Sequence, residues 1–166
     1  MERVFIREAK TNDFQYIIDI LNIAILRRSV TTILIPETVE SRKLWFDDHL
    51  NKRHPIYVAE LEGRVVGWLA VGAYRPGREG YRKAGELSYY IDPEHTRKGI
   101  ANALLNFAVA ESQKRGLTTL VAVVLGGNHS SQKLLTKNKF ERWGHFPGIA
   151  EIDGQIIDSY VFGIKL

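Results

Sequence analysis

The stretch Glu86 to Leu105, ELSYYIDPEHTRKGIANALL, constrains the fold more than any other part of this chain. A β-prone run stops at Asp92-Pro93, because proline lacks the N–H a central strand needs. A short polar loop, Glu94 to Lys98, leads into a helix that opens on Gly99-Ile100-Ala101. A strand feeding a helix through a short loop must lay that helix back on a sheet, so the chain reads as α/β. Small residues at 99 and 101 let a ligand approach the backbone closely. The free N–H groups of a helix start make an anion site, and Arg97 and Lys98 add positive charge to it. A pyrophosphate fits there. The loop is neither a Gly-x-x-x-x-Gly-Lys-Ser/Thr phosphate loop nor a Gly-x-Gly-x-x-Gly fingerprint. On spacing alone, an ordinary strand–loop–helix junction with a solvated basic rim fits equally well.

The flanks supply a sheet for that unit. Val4 to Arg7 reads as a first strand, and Phe14 to Leu26 as a helix with Ile17, Ile20, Leu21 and Ala24 at helical spacing. Arg27 to Pro36 is a loop, and Val39 to Leu50 a second helix with Leu44, Trp45 and Leu50 turned inward. Ile56 to Leu61 and Arg64 to Ala73 form a hairpin about Glu62-Gly63. Tyr74 to Ala84 is a basic, glycine-containing loop, followed by a strand over Gly85 to Ile91. The helix from Gly99 to Lys114 stops at Gly116. Thr118 to Leu125 is a strand, His129 to Asn138 a short helix, and Phe140 to Phe146 and Gln155 to Ile164 are strands, the last entered through Asp153-Gly154. Helices and strands alternate only partly, so the sheet is expected to be mixed. Trp45, Trp68 and Trp143 fall in regular elements and read as core.

With 166 residues and no repeat or linker, one domain over 1–166 is expected. A hydrophobic share of 45% and a charged share of 25% exclude a disordered or fibrous chain. The net charge of +4 suits an anionic small molecule as well as nucleic acid. Without cysteine there is no disulfide framework, thiolate metal site or cysteine nucleophile. The five histidines show no ligand spacing, so no metal site is expected. No serine stands in a Gly-x-Ser-x-Gly context. The opening MERVFIREAK carries charges throughout, and no apolar run reaches spanning length, so we expect a cytoplasmic protein without membrane contact.

The strand, the Asp-Pro, the x-x-Gly-x-Ala turn and the following Ala-Leu-Leu resemble the acetyl-CoA loop of the GNAT N-acetyltransferases. The resemblance covers nearly the whole chain. It points to the phosphinothricin and methionine sulfoximine acetyltransferase group through Arg75, Glu79 to Arg82, the Tyr-Tyr-Ile strand, Asn128 with Ser130-Ser131, Phe140 to Gly144 and the tail FPGIAEIDGQIIDSY. It implies a mixed, twisted sheet of about seven strands flanked by helices, splayed after the fourth strand to admit acetyl-CoA. Tyr89, Tyr90 and Ile91 would pair with the pantetheine arm. Arg97, Lys98, Gly99, Ile100, Ala101 and Asn102 would wrap the pyrophosphate, and Asn128 would bond the pantetheine. Arg75, Arg78, Glu86, Leu87 and Ser88 would border a small amino-acid-like acceptor, with further lining from Val30 to Thr32. The group is typically dimeric, and Phe146-Pro147-Gly148 is the candidate contact. Thr96 departs from the family's Arg or Gln, and Leu135 from its Tyr or His, which removes a candidate general acid.

The chemistry asks for a base that can deprotonate an amine, and Glu86 is the candidate. The competing reading of Glu86 is a strand carboxylate paired with Arg75, Arg82 or Lys83. An oxyanion donor would come from a backbone N–H near Tyr90 or Ile91 left open by the splay. A thiolate leaves readily, so Leu135 is tolerable. Arg75 and Arg78 suit a carboxylate on the acceptor. Two rival functions stand beside this one. A catalytically inactive CoA-binding module would keep the loop and discount Glu86. A nucleic-acid binder would use Tyr74 and Tyr81 of the basic loop for stacking, though no nucleic-acid motif is present.

Overall fold

The computed structural model describes residues 4–50 and 53–166. Among these, seven strands form one sheet in the order β1-β2-β3-β4-β5-β7-β6. The strands are β1 (Phe5–Glu8), β2 (Ile56–Leu61), β3 (Arg64–Ala73), β4 (Ala84–Ile91), β5 (Thr119–Leu125), β6 (Glu141–Ile152) and β7 (Gln155–Lys165). The helices are α1 (Phe14–Leu26), α2 (Lys43–His49), α3 (Ile100–Lys114) and α4 (His129–Lys137). All pairings are antiparallel except β4 with β5, so the sheet is mixed, as the partial alternation of elements requires.

Both predicted hairpin turns form where their residues allow positive φ. Glu62 and Gly63 take φ 49° and 79°, and Asp153 and Gly154 take 50° and 78°. These left-handed pairs match the twist of the flanking strands.

The sheet carries a core on each face. On one, α3 lays Leu104, Leu105 and Ala108 against Tyr57, Leu69, Val71, Leu87 and Leu120. On the other, α1 and α2 lay Ile17, Leu21 and Phe46 against Val58, Trp68 and Ala70. Strand alternation therefore sends Leu87, Tyr89 and Ile91 of β4 towards α3 and Glu86, Ser88 and Tyr90 towards α1 and α2.

Three expectations are corrected. The second helix is shorter than Val39 to Leu50, because Thr38 and Ser41 exchange side-chain bonds to each other's backbone N–H and hold residues 38–42 in turns. Its inward face is Phe46 and His49 with Trp45 partly covered, whereas Leu44 and Leu50 are exposed. Trp143 is not core: it is half-exposed, lies flat over Gly163, where any Cβ would meet its ring at 2.1 Å, and has the Lys165 ammonium 5.9 Å from its ring centroid. Finally, β6 runs past Phe146 to Ile152, passing Pro147 through an irregularity between Phe146 and Ala150 that removes the need for a ladder N–H there.

Candidate functional site

The site arises where two strands part. β4 pairs with β5 only at Ala84–Thr119, Gly85–Leu120 and Glu86–Val121. Beyond that point β4 runs on to Ile91 paired with β3 alone, and β5 runs on to Leu125 paired with β7. The register decides which amides are left open. Tyr74 N–H donates to Ala84 C=O, and Asp92 N–H to Val66 C=O. Antiparallel pairing alternates, so Glu86, Ser88 and Tyr90 also spend their backbone groups on β3. The amides of Tyr89 and Ile91 then face the gap. Of the two amides expected as oxyanion donors, Tyr90 is committed to β3, and Ile91, with Tyr89, is open.

A cavity of about 700 Å³ fills the gap. Its walls are the open half of β4, the loop into α3, the facing residues of β5, and α4. Burial pushes the Tyr89 hydroxyl up to about 12 against a side-chain bond to Ser131, which ties β4 to α4 across the cavity. Tyr90 is also raised by burial, partly opposed by its bond to Thr31.

The loop at the cavity's outer end is an anion cradle. Arg97 and Gly99 both take left-handed φ, 60° and 78°, and bracket Lys98. Such alternation turns successive N–H groups inward. The first intrahelical bond of α3 is from Ala103 N–H to Gly99 C=O, 3.0 Å long, so the N–H groups of Ile100, Ala101 and Asn102 have no helical acceptor. Among the described residues, none but its chain neighbours comes within 4 Å of the Cβ position of Gly99. These features fit the pyrophosphate of CoA. Thr96 spends its hydroxyl on Pro93 C=O, 3.1 Å away, so it shapes the turn. The Asn102 side-chain oxygen accepts from Asn138, 2.9 Å away, which leaves its backbone N–H for a ligand. Asn128 caps α4, its Oδ1 accepting from Ser131 N–H at 3.2 Å, while it also lines the cavity.

The structure brings most of the sequence-derived residues together. Leu87, Ser88, Tyr89, Tyr90, Ile91, Arg97, Gly99, Ile100, Ala101, Asn102 and Asn128 all line the cavity. Lys98 stands exposed on the rim. Glu86 sits at the last β4–β5 pair, one residue before the lining begins. Its carboxyl is raised above its ordinary value by burial. Among the described residues no ion pair or hydrogen bond holds that side chain, and Arg82 turns instead to Glu79, 3.5 Å away. Arg75 and Arg78 are not on the cavity: β3 ends at Ala73, and both lie on the exposed loop, Arg75 with its guanidinium over Tyr74. Tyr74 and Tyr81 meet edge to face, ring centroids 5.3 Å apart, so they pack on each other and are not splayed for bases.

Sequence reasoning missed the α1 wall, Ile20, Ile23, Ala24 and Arg27, which line the cavity with Val30. The signal was present. From Ile17 to Leu26 the helix is apolar around more than one face, more than a single core contact requires. Among the described residues no group of three or more His, Asp or Glu side chains is placed to hold a metal ion. No helix there is long and apolar enough to cross a membrane.

The Acetyltransferase (GNAT) family matches residues 21–140. The chain belongs to the GNAT acetyltransferase family. YwnH of Bacillus subtilis, provisionally named a phosphinothricin acetyltransferase, is 39% identical over 97% of this chain and 98% of its own. The L-methionine sulfoximine/L-methionine sulfone acetyltransferase of Pseudomonas aeruginosa is 30% identical over 97% of this chain and 94% of its own. In three dimensions, a phosphinothricin acetyltransferase from Sinorhizobium meliloti, solved with acetyl-CoA, superposes with a TM-score of 0.93 at 29% identity, covering 98% of this chain and 88% of that one. This GNAT enzyme is thus an acetyl-CoA-dependent N-acetyltransferase. The parted strands and the cradle are features of its own structure whose size and chemistry fit that co-substrate.

Proposed function

We propose that this GNAT enzyme, a single domain over 1–166, acetylates the amino group of a small amino-acid-like acceptor of the phosphinothricin, methionine sulfoximine or methionine sulfone type, with Glu86 as base. The reading is carried by one observation: a burial-raised carboxyl, unpaired among the described residues, stands at the point where β4 and β5 part. An α-amino group titrates near about 8. A carboxylate raised towards that range takes its proton more readily than an ordinary one. The neutral amine then attacks the thioester carbonyl. The open amide of Tyr89 or Ile91 supports the oxyanion, and the thiolate leaves with little help, a thiol titrating near about 8.5. That ease suits Leu135, which is fully buried in the α3-side core.

Acetyl-CoA would lie with its pantetheine along Tyr89 to Ile91 and its pyrophosphate on Arg97 to Asn102, with Asn128 on the arm. The acceptor would enter from the α1 side, over Ser88 and Val30. Arg27, rather than Arg75 or Arg78, is the guanidinium that this geometry offers to an acceptor carboxylate. The same reading takes the enzyme as a cytoplasmic homodimer, located where acetyl-CoA is made. Phe146, Ile149 and Ile156, exposed together on the β6–β7 hairpin around Pro147-Gly148, support a contact between copies.

Thiol release from acetyl-CoA tests the reading, with methionine sulfoximine, methionine sulfone, phosphinothricin, free amino acids and a polyamine as acceptors. Saturable release with one of the first three, lost in Glu86→Gln, is expected. Release with the polyamine alone would overturn the acceptor class.

A further inference from the structure

The acetyl-transfer reaction liberates a proton. An ammonium acceptor and acetyl-CoA become an amide, CoA thiol and one proton: the nitrogen loses two, and the leaving sulfur keeps one. With acetyl-CoA and the acceptor filling the large cavity, the proton on Glu86 needs another way out.

A second cavity, about 80 Å³ in volume, opens beside α2, between Glu8 and Ala9 at the end of β1, His49 and Leu50, and Pro55. His49 reaches from that cavity to Gly72, the strand partner of the base. On β3, Gly72 is the partner of Glu86, and opposed residues share a face with Cβ atoms about 5 Å apart. Gly72 carries no side chain, and the His49 Cε1 lies 3.8 Å from where its Cβ would be. The imidazole thus occupies the space beside Glu86 that a larger residue at 72 would fill. Its tautomer is fixed as well. Nδ1 is 2.7 Å from His54 C=O, and a carbonyl only accepts, so Nδ1 holds the hydrogen and Nε2 carries the lone pair.

We propose that His49 is the proton exit of the acetyl-transfer site, taking the proton from Glu86 on Nε2, directly or through one water, and releasing it to water in the small cavity. This rests on Glu86 being the base. The Glu86 O–H bond breaks and an Nε2–H bond forms. Loss of that hydrogen to water restores the neutral ring, with Nδ1–H on His54 throughout. Burial lowers the affinity of the ring for the proton, and so favours its release. The charged and titratable groups around the ring are Asp48 on α2, Arg42 just before it and His54, Glu8 of β1 across the small cavity, and Glu86 of β4 opposite Gly72. Glu8 is already paired with Arg115.

Two variants test it. His49→Asn keeps an N–H for His54 C=O but has no titrating nitrogen. Gly72→Ala puts a methyl on the sheet face that the imidazole and Glu86 share, 3.8 Å from His49 Cε1 and 3.7 Å from the Glu86 backbone C=O, ordinary contacts that the fold tolerates. Each is expected to lower kcat about tenfold or more at unchanged KM for acetyl-CoA. Millimolar imidazole buffer should restore the rate in both, but not in Glu86→Gln. If His49→Asn fails to fold, Gly72→Ala decides alone. Wild-type kcat in a folded variant, or a loss that no buffer restores, would overturn the proposal. If those variants keep full rate while Glu86→Gln is inactive, the exit fails and the base stands. If Glu86→Gln keeps wild-type turnover, the base itself fails.

Discussion

The two halves of β4 live under different rules. From Ala84 to Glu86 the strand is held on both edges, by β3 and by β5. There Gly85 is so closely packed that a Cβ would come within 2.9 Å of Leu120, 3.0 Å of Val71 and 3.1 Å of Leu117. From Leu87 to Ile91 one edge is bare and faces a cavity. Unpaired backbone groups are costly when buried, so the open half is stable only where water or a ligand satisfies it. The closed half sets the geometry, the open half is where we propose that acetyl-CoA binds, and Glu86 stands on the boundary.

The largest effect is expected in the open half. Gly99→Glu forces a side chain onto a left-handed backbone and puts a negative charge on the anion cradle. It should weaken acetyl-CoA binding by roughly 100-fold or more, while the backbone strain lowers the melting temperature by only about 2–8 °C. Isothermal titration calorimetry checks this, and undiminished binding would move the pyrophosphate elsewhere.

At the boundary, Glu86→Gln should leave acetyl-CoA affinity within a few-fold and lower kcat by about 100-fold. The pH profile carries a further sign. Burial raises the Glu86 carboxyl, and the base works only when ionised. Activity of the wild type should therefore rise with pH along a limb displaced above the ordinary glutamate range, and that limb should vanish in the variant. A limb at or below the ordinary glutamate value would contradict the role.

The smallest effect belongs to the closed half. Gly85→Ala overfills the space between Leu120, Val71 and Leu117 and should cost about 1–3 kcal/mol in urea unfolding. The folded fraction should bind acetyl-CoA normally. A large affinity loss without a stability loss would show that the closed half does more than set the frame.

How much of this was legible in the sequence follows from the range of each interaction. Asp92-Pro93, Gly99 and the turns at Glu62-Gly63 and Asp153-Gly154 act through local backbone preference, so the strand–loop–helix unit and both hairpins could be read directly. The cradle followed, because Arg97 to Asn102 are adjacent in the chain. The α1 wall, the placement of Arg75 and Arg78 off the cavity, and the approach of His49 to the Glu86 pair through Gly72 all depend on elements distant in sequence. Trp143 reads as core by type, yet it covers Gly163, a partner visible only once β6 and β7 are in register. For Leu44, the rotation of the short α2 turned it outward and put Phe46 on the buried face beside the expected Trp45.

Residue-resolved amide hydrogen exchange along β4, with and without acetyl-CoA, tests the central claim most directly. Without ligand, Ser88 and Tyr90 should already be protected by β3, and Tyr89 and Ile91 should exchange freely. Acetyl-CoA should protect Tyr89 and Ile91 and leave the others unchanged. Protection of Tyr89 and Ile91 without ligand, or no gain on saturation with acetyl-CoA, would contradict the account.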